Sequence, residues 1–269
     1  MNHKPTLSDI HYYPIKSCAG TAVTSARLDA LGLIHDRRWM VVKPDGTFLT
    51  QRKLPHMALI RPRVLAQGLR LEAPDMPAIR VPASSKQSPT LKVTVWKSIC
   101  ETADAGDAVA RWLSDFLGTE CRLVGIGERF KRRVNPDFAL DNDSVGFADG
   151  YPLLLTNNAS LKDLNDRLSG PLPMDRFRPN LVLSGALAFA EDGWRRIKIG
   201  ALEFHLVKPC ARCVVTTVDQ ATGQQGEEPL ITLAGYRRAA DGGVLFGQNL
   251  IHVQKQGQIH VGDPVEVLA

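Results

Sequence analysis

The sequence predicts a mixed, mainly β (α+β) fold, with a small, mostly antiparallel β-domain over residues 1–104 packed against a β-rich second domain with a few helices over residues 105–269. Three observations predict it. The first hundred residues break into short apolar runs separated by Gly, Pro and Asp. One amphipathic stretch follows at residues 107–117. Beyond it, strand-like and helix-like runs alternate to the C-terminus, and 269 residues are enough to bury full cores without disulfide staples.

Residues 10–15, 38–43, 48–51, 58–61, 69–72 and 91–96 are the expected N-terminal strands. Leu69-Arg70-Leu71-Glu72 and Leu91-Lys92-Val93-Thr94-Val95-Trp96 alternate apolar and polar side chains, the period of a half-buried strand. Asp45-Gly46 supplies a turn between two of these runs. In residues 107–117, Val109, Trp112, Leu113, Phe116 and Leu117 share one helical face, and Gly118 stops the helix. Residues 125–143, rich in charge, Gly and Asn, predict a long loop. A buried strand is expected at 151–156, then a helix capped by Asn158 or Ser160 and carrying Leu161, Leu164 and Leu168. Strands follow at 180–184 and 202–207. The β-branched run Val214-Val215-Thr216-Thr217-Val218 predicts another buried strand. Pro229 opens a third helix, and residues 244–253 and 264–268 complete the sheet.

An apolar fraction of 44% and a charged fraction of 23% describe a soluble globular chain. No apolar run approaches the roughly 18 residues of a spanning helix, and Met1-Asn2-His3-Lys4-Pro5 lacks the apolar core of a signal peptide. A cytoplasmic location without a membrane partner is the expectation. The five cysteines, Cys18, Cys100, Cys121, Cys210 and Cys213, are odd in number and scattered, which predicts reduced thiols. The net charge is +5, but the basic residues are spread, and the densest run, Lys131-Arg132-Arg133, reads as a solvated loop rather than a nucleic-acid footprint. A pocket for a small anion accounts for the same excess with fewer residues.

Chemistry concentrates in Lys208-Pro209-Cys210-Ala211-Arg212-Cys213. A zinc site needs a second cysteine pair or two histidines at ligand spacing, and neither is there. A dithiol redox pair should open a helix, whereas a strand is expected after Cys213. Two small buried side chains are the ordinary reading of such cysteines. Arg212 and Lys208 favour a thiolate at Cys213, the form that binds soft metals or attacks. In Tyr13-Pro14-Ile15-Lys16-Ser17-Cys18 a strand runs into a turn where Lys16, Ser17 and free backbone N–H groups could hold phosphate oxygens as a nest, although no phosphate-loop glycine spacing is present. Asp36-Arg37-Arg38-Trp39 adds a cation. In Arg176-Phe177-Arg178-Pro179-Asn180, Arg178 precedes proline and is expected to be extended, while Asn180 can donate and accept toward a nitrogen heterocycle. Asp149-Gly150-Tyr151-Pro152 is a tight turn whose backbone can approach a ligand.

These stretches, with Phe147-Ala148-Asp149-Gly150-Tyr151-Pro152-Leu153-Leu154-Leu155, Thr217-Val218-Asp219, Glu228-Pro229-Leu230, Leu245-Phe246-Gly247 and Val261-Gly262-Asp263-Pro264-Val265, run in order along nearly the whole chain. Together they resemble the MOSC proteins with an N-terminal MOSC β-barrel domain, and within them the mitochondrial amidoxime-reducing component group and its bacterial relatives. The resemblance implies a molybdenum–molybdopterin cofactor (Moco) between the two domains. It implies that Cys213 ligates molybdenum and is the catalytic ligand, and that Arg212 contacts the pterin. Lys16, Ser17 and Arg37 would hold the terminal phosphate. Arg178 and Asn180 would hold the pterin, with contacts from Gly150 and Tyr151, and Cys210 would be structural. Ala211 and Asn249 stand where eukaryotic members have Ser and Tyr.

The activity implied is reduction of N-hydroxylated compounds, such as amidoximes, hydroxamic acids and N-hydroxylated bases. A bacterial relative carries a further iron–sulfur domain after the Val261–Val265 stretch. This chain stops at Ala269, so electrons are expected from an external donor, a flavin reductase or a haem or iron–sulfur protein. The alternative is a MOSC sulfur carrier or Moco binding and delivery protein, because MOSC domains also end the molybdenum-cofactor sulfurases. No pyridoxal-phosphate domain is present for a complete sulfurase.

Overall fold

The computed structural model describes residues 4–85, 87–141 and 143–269; the first three residues of the N-terminal stretch and Asn142 of the expected long loop lie outside them. Apolar alternation sets out strands along the whole length of the chain, and among the described residues they sort into one large sheet and three small ones. The large sheet runs in the order Val265–Val267, Arg196–Ile199, Leu202–Arg212, Val244–His252, Leu153–Asn157, Leu181–Ser184, Thr6–Tyr12, Thr21–Val23. Leu153–Asn157 and Leu181–Ser184 are parallel. Helix Asn158–Asn165 lies between them in sequence, in the crossover that a parallel pair requires. Leu7, Ile10, Leu155, Leu181, Phe204 and Leu250 are fully buried in this sheet's core.

A four-stranded sheet runs in the order Trp39–Val42, Arg122–Ile126, Ser98–Asp104, Thr90–Val95. Helix Asp107–Leu117 joins its two inner strands and ends at Gly118, which takes the left-handed conformation at φ 63°. Val109, Trp112, Leu113 and Leu117 of that helix pack with Val41, Leu123, Leu69 and Leu71. Burial of side chains this size stabilises by roughly 1.5–3 kcal/mol each. Arg61–Leu65, Gly68–Glu72 and Ile79–Pro82 form a three-stranded meander, and Gly257–His260, Ser25–Asp29 and Gly32–Leu33 form another small sheet. The protein is therefore mainly β, with three α-helices among the described residues. No described helix is long and apolar enough to cross a membrane.

Two sheets meet at a seam that positions the site. Thr6–Tyr12 belongs to the large sheet, and the turn after it is bonded to the head of the four-stranded one. The Trp39 N–H donates to the Pro14 carbonyl at 3.0 Å, and the Lys16 N–H donates to the Trp39 carbonyl at 2.8 Å.

Several elements differ from expectation for physical reasons. The strand expected at 58–61 is replaced by the 3₁₀ turn Pro55–Leu59, which Pro55 opens. The helix expected to be capped by Asn158 or Ser160 is capped by Asn157, whose side chain accepts from the Ala159 N–H at 3.0 Å. The β-branched run after Cys213 is not a strand but the 3₁₀ turn Val214–Thr217. Its hydroxyls override β propensity: Thr216 Oγ1 donates to the Cys213 carbonyl at 3.0 Å, and Thr217 Oγ1 to the Val214 carbonyl at 2.8 Å.

One buried group makes stability sensitive to mild acid. His252 is buried, with Nε2 2.7 Å from the Asp29 carbonyl oxygen and Nδ1 without a partner. Burial, helped by the Lys255 charge, pushes its pKa from 6.5 down to about 4, so it folds neutral. The unfolded chain takes up a proton on this residue near pH 6.5 and the folded protein only near pH 4. Its stabilising effect is complete above pH 6.5 and is lost progressively down to pH 4. The urea midpoint is expected to fall through this window, and less steeply in His252→Gln.

Candidate active site

At the seam, separate segments converge on one cleft of about 190 Å³. All nine residues singled out from the sequence line it: Lys16, Ser17, Arg37, Gly150, Tyr151, Arg178, Asn180, Arg212 and Cys213. Lys208 does not; its ammonium lies 5.0 Å from the centre of the Phe138 ring.

Lys16 and Ser17 come from the turn after the first strand, and both are nearly buried. Lys16 Nζ donates to the Phe147 carbonyl at 2.9 Å and pairs with Asp149. The N–H groups of Lys16, Cys18 and Ala19 donate to the Trp39, Ile15 and Ile60 carbonyls. The turn is therefore not a nest of free amides, and Ser17 is the member of it that faces the cleft with Lys16.

Arg37 and Arg178 lie against the Tyr13 ring, with guanidinium carbons 4.1 and 4.3 Å from its centre. Arg37 Nη1 donates to both Asp36 carboxylate oxygens at 2.8 Å and to Asn180 Oδ1 at 3.1 Å. Asn180 Oδ1 also accepts from the Leu154 N–H, and its Nδ2 donates to the His11 carbonyl. The Asn180 oxygen is thus engaged by Arg37 and the Leu154 N–H, and one of its two amide N–H groups has a protein partner. Tyr13, whose hydroxyl donates to the Pro179 carbonyl at 3.1 Å, is pushed up to about 12 by burial and stays neutral.

Arg178 is not extended, as its place before proline suggested, but left-handed at φ 52°, ψ 47°. Proline disfavours the right-handed helical region most, and the left-handed one satisfies two local bonds. The Arg178 N–H closes the turn Met174–Phe177 on the Asp175 carbonyl, and the Arg178 carbonyl accepts from Arg37 Nη2. Ser17 and Arg37 are left-handed too, at φ 67° and 45°. Each such residue costs of order 1–3 kcal/mol, strain that collects where geometry is functional.

Cys213 and Arg212 end the strand Leu202–Arg212, opposite Val244–His252. Pairing shifts register between Pro209 and Ala211, and Cys210 sits in that irregularity. Cys210 therefore lines the cleft beside Cys213, and burial raises its thiol pKa. Arg212 Nε donates to the Phe246 carbonyl at 2.8 Å and Nη1 to the Phe177 carbonyl at 3.1 Å.

Gly150 has open space where a Cβ would stand, so nothing in the protein occupies the room its missing side chain leaves. Tyr151 is fixed edge-on to Phe138 at 5.9 Å.

Four further lining residues are not among the nine, although Asp149, Arg176 and Thr216 stand inside stretches that the sequence singles out. Arg52 Nη2 reaches Asp149 Oδ2 at 3.3 Å, and burial, which lowers its pKa, is outweighed by the Asp149 and Cys213 charges. Burial raises the Asp149 pKa, but Lys16 and Arg52 hold the carboxyl well below the usual range, so it is ionised. Arg176 donates to the Thr217 carbonyl at 3.0 Å and pairs with Asp219 at 2.9 Å. Thr216 is the fourth, and it caps the Cys213 carbonyl. Arg52 and Asp149 meet 97 positions apart, beyond any short-range signal. A second correction concerns the basic run 131–133. Arg132 is buried and donates to the Gly146, Ala148 and Asp149 carbonyls at 2.7, 2.5 and 2.6 Å, so it builds the turn that presents Asp149 and Gly150.

Buried guanidinium atoms remain unpaired around this cleft: Nη2 of Arg178, Nη2 of Arg212 and Nε of Arg176. Burial lowers the Arg178 pKa to about 10, so it still carries its charge at neutral pH. Unsatisfied buried donors are rare in native proteins and call for a partner. The donor set, charged N–H groups around a thiol, fits an anion that offers several oxygens or heteroatoms and a soft metal.

Comparison with known proteins agrees with that chemistry. Residues 4–120 match the MOSC N-terminal beta barrel domain, and residues 142–266 match the MOSC domain. The chain is 39% identical over 280 aligned residues to "Mitochondrial amidoxime reducing component 2" of Rattus norvegicus, covering 97% of this chain and 82% of that protein. It belongs to the MOSC family. Within that family it is also 35% identical to "Mitochondrial amidoxime-reducing component 1" of Homo sapiens, across 98% of this chain and 83% of the relative. This MOSC protein is 34% identical to "Molybdenum cofactor sulfurase" of Danio rerio, but its match spans only 33% of that longer chain.

Proposed function

We propose that this MOSC protein is a molybdenum-cofactor oxidoreductase that reduces N-hydroxylated compounds, with electrons from a separate flavin, haem or iron–sulfur protein. The observation that carries the reading is the set of buried, unpaired guanidinium donors on Arg176, Arg178 and Arg212, which line the same cleft as Cys213. Cys213 would ligate the metal. Lys16, Ser17 and Arg37 would bind the terminal phosphate, and Arg178, Arg212 and Arg176 the pterin, with Asn180 holding Arg37 in place. Gly150 leaves room for the group and Tyr151 bounds it. When bound, the group supplies two-electron oxygen-atom chemistry that no side chain provides.

The overall change adds two electrons and two protons to R–NHOH and yields R–NH₂ and water. An ionised Asp149 cannot donate a proton, so its part is to fix Lys16 and Arg52 and to keep the cleft from becoming uniformly positive. Relatives named for amidoxime reduction align over four-fifths of their length, which favours this reading over sulfur transfer or cofactor delivery.

The test is expression in a host that makes the cofactor. Purified protein is expected to hold about one molybdenum per chain, to release a fluorescent oxidised pterin, and to reduce an amidoxime with a reduced artificial donor. Metal-free protein from that host would sink the reading. Cyanide-labile sulfur in place of metal would favour the sulfur-carrier alternative.

A further inference from the structure

The interior of the cleft is polar, but an aromatic platform stands beside Arg52 at its edge. The Arg52 guanidinium lies 5.0 Å from the centre of the Trp96 ring, while its Nη2 reaches Asp149. Trp96 in turn meets Phe48 edge-on at 5.2 Å, and Lys16 Nζ lies 5.4 Å from the Phe48 ring. An unbroken series of contacts thus links Trp96 to both cations that fix Asp149.

Packing does not explain Trp96. It is 47% exposed, although it is among the largest apolar side chains in the protein. It also sits in the left-handed region at φ 56°, which a bulky residue enters only at a cost. A half-exposed indole held in a disfavoured backbone state still leaves about half its surface to solvent, and what it presents there is the feature to explain. Arginine stacked on one ring commonly accepts a second flat group, because the planar guanidinium is weakly hydrated on its faces.

We infer that Trp96 and Arg52 form a recognition platform for the flat, delocalised part of the substrate, and that the enzyme prefers aryl and heteroaryl N-hydroxylated compounds over aliphatic ones. This rests on the reductase reading and specifies its substrate class. Trp96 is a specificity-determining residue: it touches the distal part of the substrate while the N–OH group points inward toward Cys213.

The experiment compares benzamidoxime with acetamidoxime in cofactor-loaded parent protein, Trp96→Gly and Trp96→Phe. Glycine removes the indole and relaxes the left-handed backbone, so Trp96→Gly is expected to melt at or above the parent's temperature. Its KM for benzamidoxime should rise roughly tenfold, the scale of a partly desolvated cation–π stack. Turnover of acetamidoxime should stay within about twofold of the parent, and Trp96→Phe should recover most of the aromatic preference. Calorimetric binding of benzamidine, the aromatic product, should weaken by the same factor independently of turnover. Equal loss on both substrates, or no loss on either, would overturn the inference while leaving the reductase reading intact. A parent protein that reduces neither compound would sink both.

Discussion

Cys213→Ser is expected to lower turnover of N-hydroxylated substrates at least about a hundredfold while leaving the fold intact. A neighbour that only orients a metal ligand is typically worth ten- to a hundredfold, so loss of the ligand itself should cost no less. Serine is close in size but is a hard hydroxyl that does not ionise near neutral pH, so it cannot replace a thiolate on a soft metal. Besides the side-chain bond between its thiol and Arg52, Cys213 offers the fold its backbone carbonyl, which accepts from the Thr216 N–H and hydroxyl, both at 3.0 Å. Serine keeps both carbonyl bonds. The melting temperature should therefore hold, and pterin should remain bound through the surrounding cations. Turnover within threefold of the parent would show that Cys213 is not the ligand.

The second large effect lies away from the reacting centre. Arg132→Met should lower stability by roughly 3 kcal/mol, because the buried guanidinium holds the Gly146, Ala148 and Asp149 carbonyls and its loss strands buried acceptors. For a chain this long that is a fall of about 10 °C in melting temperature. The turn it braces carries Asp149 and Gly150, so cofactor retention should fall together with stability. Arg133→Met, at an exposed neighbouring position, should change neither. If Arg132→Met melts within about 2 °C of the parent, the residue is not the brace its bonds imply.

How much of this was legible depends on the range over which each signal acts. Helix Asp107–Leu117 was readable because Val109, Trp112, Leu113 and Leu117 carry their own periodicity and Gly118 its own stop. The run after Cys213 misled because β propensity is a weak preference, and hydroxyl-to-carbonyl bonds within one turn overrode it. Arg178 misled for a related reason: the rule for residues before proline excludes one region of backbone space without choosing among the others. The nine residues of the family resemblance all reached one cleft, since each belonged to a motif that could be quoted. Arg52 and Asp149 could not be found as a pair, because an ion pair between distant segments leaves no trace in spacing. Arg132 looked like part of a solvated basic run, and nothing in the sequence says which of three adjacent cations turns inward.

The first strand, Thr6–Tyr12, has the three-residue Thr21–Val23 on one side, but its partner on the other, Leu181–Ser184, lies far along the chain. During synthesis the Lys16 turn therefore leaves the ribosome long before the strand that will anchor its sheet. Arg178 emerges just ahead of that strand, and Cys213 later still. A half-made chain would hold a ligand of this cleft by a single loop open to water. Loading has to wait until translation is nearly over. Whatever the cleft takes up must therefore find a nearly finished but empty protein.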